Sequence, residues 1–178
     1  MKIVKVLAML LALMMIGSAA FAQSLNIAQV GAPALDFELK MIDGETFKLS
    51  DHLGKVVFLN IWATWCGPCV MEMPDIEKLA NTYPDDLVVL GVSCDESEDA
   101  VKAFVEEQGY TYNFAWDGTY LVSGLLYPSY AIPNSIFIAP DGTITSMELG
   151  AANYETLEQR YLDALASVQT AEEAVPAA

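Results

Sequence analysis

The chain has few of the residues that hold structural metals. Its 178 residues include three cysteines and one histidine. A structural zinc site usually needs four cysteine or histidine ligands, arranged as two pairs or as a pair with histidines. One pair, Cys66 and Cys69, with a distant Cys94 and the single His52, makes such a site a poor interpretation. Binding of a soft metal by the two thiolates alone stays open.

Positive charge is also scarce. Eight lysines and arginines stand against 24 aspartates and glutamates, which gives a formal net charge of −16. A field of this sign repels nucleic acid and anionic lipid heads, and no basic stretch offsets it. We therefore exclude nucleic acid as a partner. Solubility outside the cytoplasm explains the charge as well as any basic partner does.

Only one apolar run in the chain is longer than about ten residues, and it lies at the N-terminus. Lys2 and Lys5 precede the apolar residues 6–16, and Ala20-Phe21-Ala22 follows as an A-x-A cleavage site. This order predicts a secretory signal peptide over residues 1–22 and a periplasmic or other extracytoplasmic protein. The alternative is an uncleaved membrane anchor over residues 6–16, although a spanning helix wants ~20 apolar residues. Residues 23–30 would form an N-terminal extension.

The rest of the chain alternates predicted strands and helices. Asp43-Gly44 and Pro140-Asp141-Gly142 are hairpin signals, and two continuous apolar runs indicate strands buried on both faces. This order predicts an α/β domain: a three-layer sandwich with a mixed central sheet, helices on both faces and an N-terminal β-hairpin. The domain is expected over residues 31–168, followed by a disordered acidic tail over residues 169–178.

The segment WATWCGPC places Cys66 and Cys69 between a buried strand and a predicted helix. A structural disulfide that encloses two residues would constrain little chain entropy, which argues against a passive bridge. A cysteine at a helix start has its thiolate stabilised by free N–H groups and the helix dipole. Cys66 is therefore the predicted nucleophile, and Cys69 the cysteine that resolves a mixed disulfide. Gly67-Pro68 suits the first turn of the helix.

These segments carry a resemblance. With GAPALDFEL, VVFLNIWATWCGPC, the EMP that follows, VVLGVSCDE and YPSYAIPNSIFIAPDGTI, the chain resembles the thioredoxin superfamily. It is most similar to its exported TlpA/ResA-type (AhpC/TSA-like) thiol-disulfide oxidoreductases, which include cytochrome c maturation proteins. The resemblance covers about residues 31–168. It departs from the usual pattern at Pro128, Ala131, Asn134 and Ser135, which concerns the substrate groove.

The resemblance implies further site residues. Pro133 is expected to be cis and to face the cysteines, with the Ile132 backbone free to pair with an incoming client chain. Thioredoxins proper carry a buried aspartate where this chain has Asn60, which cannot take a proton. Glu72, one helical turn after Cys69, matches the active-site glutamate of the ResA-type proteins. Its position alone would favour an ordinary solvated acid.

Weaker candidates surround this set. Trp65 is expected to shield the cysteine pair and Trp62 to belong to the core. The expected substrate-binding residues are Trp65, Gly67, Pro68, Ile132 and Pro133. Cys94 is expected to be a buried and inert thiol, with an accessory redox role left open. For Tyr127 and Tyr130, lining of the groove and packing of the turn are equally good interpretations.

The sequence thus predicts an exported thiol-disulfide oxidoreductase that reduces protein disulfides through Cys66 and Cys69, without a bound cofactor or metal. Expected partners are protein thiol or disulfide clients and a membrane-embedded thiol electron donor, and a monomer is favoured. A thiol peroxidase is one alternative, lowered because Thr64 lies two rather than three residues before Cys66. A non-catalytic thioredoxin-like binding module is another, which the presence of both cysteines disfavours.

Overall fold

A computed structural model of the protein describes residues 27–173, with side chains to residue 168. The predicted signal peptide, the first four residues of the extension and the last five residues of the tail lie outside this range. The strands are β1 (Glu38–Lys40), β2 (Thr46–Lys48), β3 (Val56–Trp62), β4 (Leu87–Ser93), β5 (Asn113–Trp116), β6 (Asn134–Ile138) and β7 (Ile144–Leu149). The α-helices are α1 (Gly67–Thr82), α2 (Glu98–Gln108) and α3 (Tyr154–Glu173), and Leu49–His52 and Leu121–Leu126 form a short 3-10 helix and a π-helix.

The main sheet has five strands in the order β5-β4-β3-β6-β7. Strands β3, β4 and β5 are parallel, whereas β6 and β7 run antiparallel to their neighbours. Every residue of β3 is buried, as its continuous apolar run predicts. The predicted mixed sheet is confirmed, and β3 is its central strand.

Two apolar clusters fill the space on either side of the sheet. One joins alternate β3 residues, among them Phe58 and Trp62, to the buried faces of all three α-helices. The other joins Leu59 and Ile61 of β3 to the β1–β2 hairpin, the 3-10 helix and the π-helix. The predicted three layers and N-terminal hairpin are confirmed, and the regular helices all pack against the first cluster.

Helix α1 begins immediately after the active-site segment. Cys66 is its N-cap residue and Pro68 lies in its first turn, where a missing backbone N–H costs nothing. The helix continues through Pro74 to Thr82, and its buried apolar residues Met73, Ile76 and Leu79 keep helical spacing on both sides of the proline. Its buried face includes Cys69 and Glu72.

The other two helices begin at residues whose side chains cap them. The Ser97 hydroxyl accepts the Ala100 N–H, and Gly109 ends α2 with a left-handed φ of 73°. At the start of α3, the side-chain oxygen Oδ1 of Asn153 accepts a hydrogen bond of 3.1 Å from the Thr156 N–H. Within residues 27–173, no helix is sufficiently long and apolar to cross a membrane.

Helix α3 extends past the predicted domain boundary at residue 168. Its backbone is helical to Glu173. The reason is local: this stretch contains alanine and glutamate, which favour helix and prolong one that is already packed.

Candidate active site

Cys66 and Cys69 lie where β3 leads into α1, and they form a disulfide. The Cys66 sulfur accepts the Cys69 backbone N–H at 3.3 Å, so one free donor of the first helical turn points at this sulfur. Cys66 is 5% exposed and Cys69 is fully buried. Cys66 is thus the more exposed cysteine of the pair and Cys69 the covered one, and their roles as nucleophile and resolving cysteine stay predictions.

The segment before β6 lies next to the cysteine pair. The Ile132–Pro133 peptide bond is cis, as the resemblance implies. The Ile132 carbonyl oxygen lies 3.7 Å from the Cys66 sulfur, and the Pro133 carbonyl oxygen accepts the Gly150 N–H at 2.8 Å. The structure thus brings Ile132 and Pro133 to the cysteine pair across a sequence gap of more than 60 residues.

Glu72 is buried in the core, with 2% of its surface exposed. Its Oε1 accepts a hydrogen bond of 2.7 Å from Nδ2 of Asn60, and its Oε2 accepts the Ala152 N–H at 3.0 Å. Cys69 is three residues earlier on the same buried face, and side chains at this spacing are neighbours. Glu72 is therefore not the solvated acid that its position alone favours.

Burial raises the pKa of Glu72 to about 7, because desolvation penalises the charged carboxylate. The hydrogen bonds from Ala152 and Asn60 and the positive charge of Arg160 oppose this shift, and Asp75 adds to it. A carboxyl group with this pKa exchanges its proton near neutral pH, which suits a general acid or base.

Asp95 anchors the active-site segment, although it is not among the residues predicted from the sequence. Its carboxylate is buried and accepts hydrogen bonds from the Thr64 N–H and hydroxyl at 2.9 and 2.7 Å, and from the Ser93 hydroxyl at 2.7 Å. The loop before Cys66 is thereby tied to the end of β4. The only signal in the sequence is the position of Asp95 within VVLGVSCDE.

A groove runs beside the disulfide. It is lined by Trp65, Cys94, Ser129, Tyr130, Ala131 and Ile132. Trp65 and Tyr130 are 70% and 93% exposed, so two large aromatic surfaces meet solvent here. Trp65 therefore contributes to the groove, and of the two interpretations of Tyr130 the structure supports the lining of the groove.

Cys94 is half-buried, less enclosed than expected. The sulfur of its thiol lies 3.3 Å from the Trp62 carbonyl oxygen. Burial raises the pKa of that thiol, and the negative charge of Asp95 raises it further. A thiol held in its protonated form is a weak nucleophile. The expectation that Cys94 is inert fits this electrostatic setting, although it does lie in the groove.

The remaining candidates belong to the framework. Tyr127 is fully buried and its hydroxyl donates to the Leu35 carbonyl oxygen at 2.8 Å, so it packs the turn and does not line the groove. Trp62 is fully buried, as expected of a core residue. His52 stacks on Phe47, with ring centroids 4.3 Å apart. Among residues 27–173, no group of three or more histidine, cysteine or acidic side chains could hold a metal ion.

Comparison with known proteins agrees with this geometry. The family model described as AhpC/TSA matches residues 30–147. The chain is 37% identical to the thioredoxin-like protein YneN of Bacillus subtilis (strain 168), over 74% of this chain and 78% of that protein. It is 39% identical to the thiol-disulfide oxidoreductase ResA of Oceanobacillus iheyensis, over 81% of this chain and 77% of the relative.

A solved structure shares the architecture. The crystal structure of a proposed thiol:disulfide interchange protein DsbE from Chlorobium tepidum superimposes with a TM-score of 0.68 at 29% identity. The match covers 76% of this chain and 97% of that one. Together with the disulfide at the start of α1, these similarities show that the chain belongs to the AhpC/TSA family and is one of its thioredoxin-like thiol-disulfide oxidoreductases.

Proposed function

We propose that the protein reduces disulfides in client proteins outside the cytoplasm. The observation that carries this proposal is the cysteine pair at the start of α1, with Glu72 buried one turn further along the helix. Cys66 is the more exposed cysteine and its sulfur accepts a helical N–H, which favours its thiolate as the attacking group.

The reaction consumes one dithiol for each client disulfide. The Cys66 thiolate attacks a client sulfur, an S–S bond forms between them, and the second client sulfur leaves as a thiolate. Cys69 then gives its proton to the Glu72 carboxylate and attacks the Cys66 sulfur. The first client sulfur leaves as a thiolate, and the protein is left in the disulfide form that the structure shows.

The electrostatics around Cys66 favour reduction over oxidation. The first turn of α1, Gly67–Val70, contains no charged side chain. An additional cation would stabilise the thiolate and with it the reduced protein, which makes a pair a stronger oxidant. Without one, the pair retains its disulfide more tightly and donates electrons when reduced. Ile132 before Pro133 also resembles the reducing thioredoxins.

A reductant in an oxidising compartment needs a continuous electron supply. We therefore propose a membrane-embedded thiol protein as the electron donor and a cleaved signal peptide over residues 1–22 as the route of export. Apocytochrome cysteines are the proposed clients, on the resemblance to the cytochrome c maturation proteins. The exposed aromatic side chains of Trp65 and Tyr130 would contact the client polypeptide on either side of its cysteine.

Trapping in cells tests this proposal. The Cys69→Ala protein retains the Cys66 nucleophile and should accumulate mixed disulfides with its clients, which mass spectrometry identifies. Cys66→Ala/Cys69→Ala is the matched control, and Cys94→Ala in both backgrounds removes capture by the third thiol. Purified wild-type protein should reduce insulin with an added dithiol. Consumption of peroxide at a higher rate than insulin would instead support the peroxidase alternative.

A further inference from the structure

The amide of Asn60 uses only part of its hydrogen-bonding capacity. Its side chain is fully buried, and its Nδ2 donates to Oε1 of Glu72 at 2.7 Å. Its Oδ1 is also buried but has no hydrogen-bond partner in the described part of the chain. Buried polar atoms are normally paired, so an unpaired oxygen next to a titrating carboxyl group requires an explanation.

Protonation of Glu72 changes the kind of hydrogen-bond partner that its carboxyl group requires. A carboxylate only accepts hydrogen bonds, whereas a carboxylic acid also carries one O–H donor. The Ala152 N–H donates to Oε2 and cannot accept, so it suits Oε2 in both states. A proton on Oε1 would instead face the Asn60 amide, which offers a donor on one side and an acceptor on the other.

Half a turn of that amide exchanges its donor and its acceptor. We propose that Asn60 is a positioning residue that hydrogen-bonds Glu72 in both protonation states, through Nδ2 when Glu72 is ionised and through Oδ1 when it is protonated. This inference rests on the proposed role of Glu72 as the proton acceptor of Cys69. An aspartate at this position could not act in this way, because its ionised form has no donor.

The step balances as a proton transfer. The Cys69 thiol loses its proton to Oε1 of Glu72, and the resulting thiolate attacks the Cys66 sulfur, which breaks the mixed disulfide and releases the client sulfur as a thiolate. The Nδ2–H···Oε1 bond breaks, the amide turns, and Oε1–H···Oδ1 forms. The reverse turn accompanies release of the proton in the next cycle. Oε1 of Glu72 is therefore hydrogen-bonded to Asn60 both before and after the amide turns.

Other charged or titratable side chains also interact with Glu72. Asp75 on α1 and Arg160 on α3 act on the carboxyl group through their charge, and the buried Tyr112 phenol is affected by it in turn. In the described residues, none of the three makes a hydrogen bond to Glu72. Asn60 is the side chain that does.

Ser135 provides a matched control, because its hydroxyl oxygen competes with Oδ1 of Asn60 as the acceptor for the Glu72 proton. It faces Asn60 across the β3–β6 ladder, it is fully buried, and its hydroxyl oxygen is also without a partner in the described part of the chain. A Ser135→Ala variant removes a buried oxygen from the same region and leaves the bond between Asn60 and Glu72 in place.

Infrared difference spectroscopy of the oxidised protein, between pH 5 and pH 9, tests the inference. Glu72→Gln identifies the carboxyl C=O band by its loss. In the wild type and in Ser135→Ala, this band should lie at the low wavenumber of a carboxyl group that donates a hydrogen bond. In Asn60→Leu it should shift to the higher wavenumber of a carboxyl group that does not, and Asn60→Ala should repeat the shift if the leucine variant folds poorly.

An unchanged band in both Asn60 variants would overturn the inference, and a shift in Ser135→Ala alone would transfer the acceptor role to Ser135. These outcomes are independent of the proposed function, because the band can be measured without a client. If Glu72→Gln resolves mixed disulfides at the wild-type rate, the proposed proton acceptor fails, whatever the band positions are.

Discussion

Asn60 on β3 and Glu72 on α1 meet through a hydrogen bond of 2.7 Å in the core, where both side chains are buried. In thioredoxins proper, the position of Asn60 carries the buried acid. Here the acid is instead on the helix and the strand contributes an amide. The titrating group is thus moved to the helix that carries both cysteines, one turn beyond Cys69.

The first prediction concerns the rate of resolution. Glu72 accepts a proton only when it is ionised, so the rate at which Cys69 resolves a mixed disulfide should rise with pH through about 7, the pKa of Glu72. Glu72→Gln should remove this inflection and slow resolution by about 10²-fold, the low end of general acid–base contributions. Rapid-quench measurements between pH 5 and 9 give both values. The same inflection in the glutamine variant would show that another group titrates.

The second prediction concerns stability. The pKa of Glu72 rises from 4.5 to about 7 on folding, so the native state binds the additional proton between these pH values. The free energy of unfolding of the oxidised protein should therefore fall as the pH rises through this window, by about 3 kcal/mol in total. In Glu72→Gln the free energy of unfolding should not fall in this window. The free energy of unfolding of the variant minus that of the wild type should therefore increase by about 3 kcal/mol as the pH rises.

Denaturant titrations at pH 4 and pH 8 measure this difference. Glu107→Gln, a change at an exposed acid of α2, is the matched control and should retain the pH dependence of the wild type. If the two variants behave alike, ionisation of Glu72 does not oppose folding.

The third prediction concerns the reactivity of the thiols. In the reduced protein Cys66 should be alkylated first and at the lowest pH, because its sulfur accepts a helical N–H and it is the more exposed residue of the pair. Cys69 should be protected by burial, and Cys94 should be slow at neutral pH because burial raises the pKa of its thiol. Peptide mapping after brief alkylation separates the three. Equal rates at Cys66 and Cys69 would contradict the assignment of the nucleophile.

The fourth prediction concerns the redox potential. Because the first turn of α1 has no charged side chain, equilibration with glutathione should give a potential near the roughly −270 mV of thioredoxin. A value near the roughly −120 mV of DsbA would reverse the proposed direction of electron flow. Gly67→Lys, which places a cation in the first turn, should move the potential towards the oxidising value and serves as the internal comparison.

The fifth prediction concerns export. Cleavage after Ala22 should give a mature N-terminus at Gln23. Intact-mass measurement of the extracytoplasmic fraction tests this directly. An intact chain beginning at Met1 and found in the membrane fraction would favour the anchor formed by residues 6–16.

Local patterns in the sequence sufficed for the elements that depend on neighbouring residues. The apolar run of β3, the caps Ser97 and Asn153 and the first turn at Cys66 all follow from chemistry within a few positions. The placement of Cys66 and Cys69 at the start of α1 was predictable for the same reason, since the signals for a helix start lie in the residues that form it. The end of α3 was not, because fraying of a helix has only weak local signals.

Only the tertiary structure decided what surrounds these elements. The sequence spacing of Glu72 suits an exposed acid, and burial follows because Asn60 and the Ala152 N–H, 12 and 80 residues away, enclose its carboxyl group. Tyr127 and Tyr130 are alike in sequence context, yet one is buried against Leu35 and the other is 93% exposed. The physical reason is the same for both: desolvation and pairing depend on which distant segments pack against a side chain, and spacing along the chain does not record that.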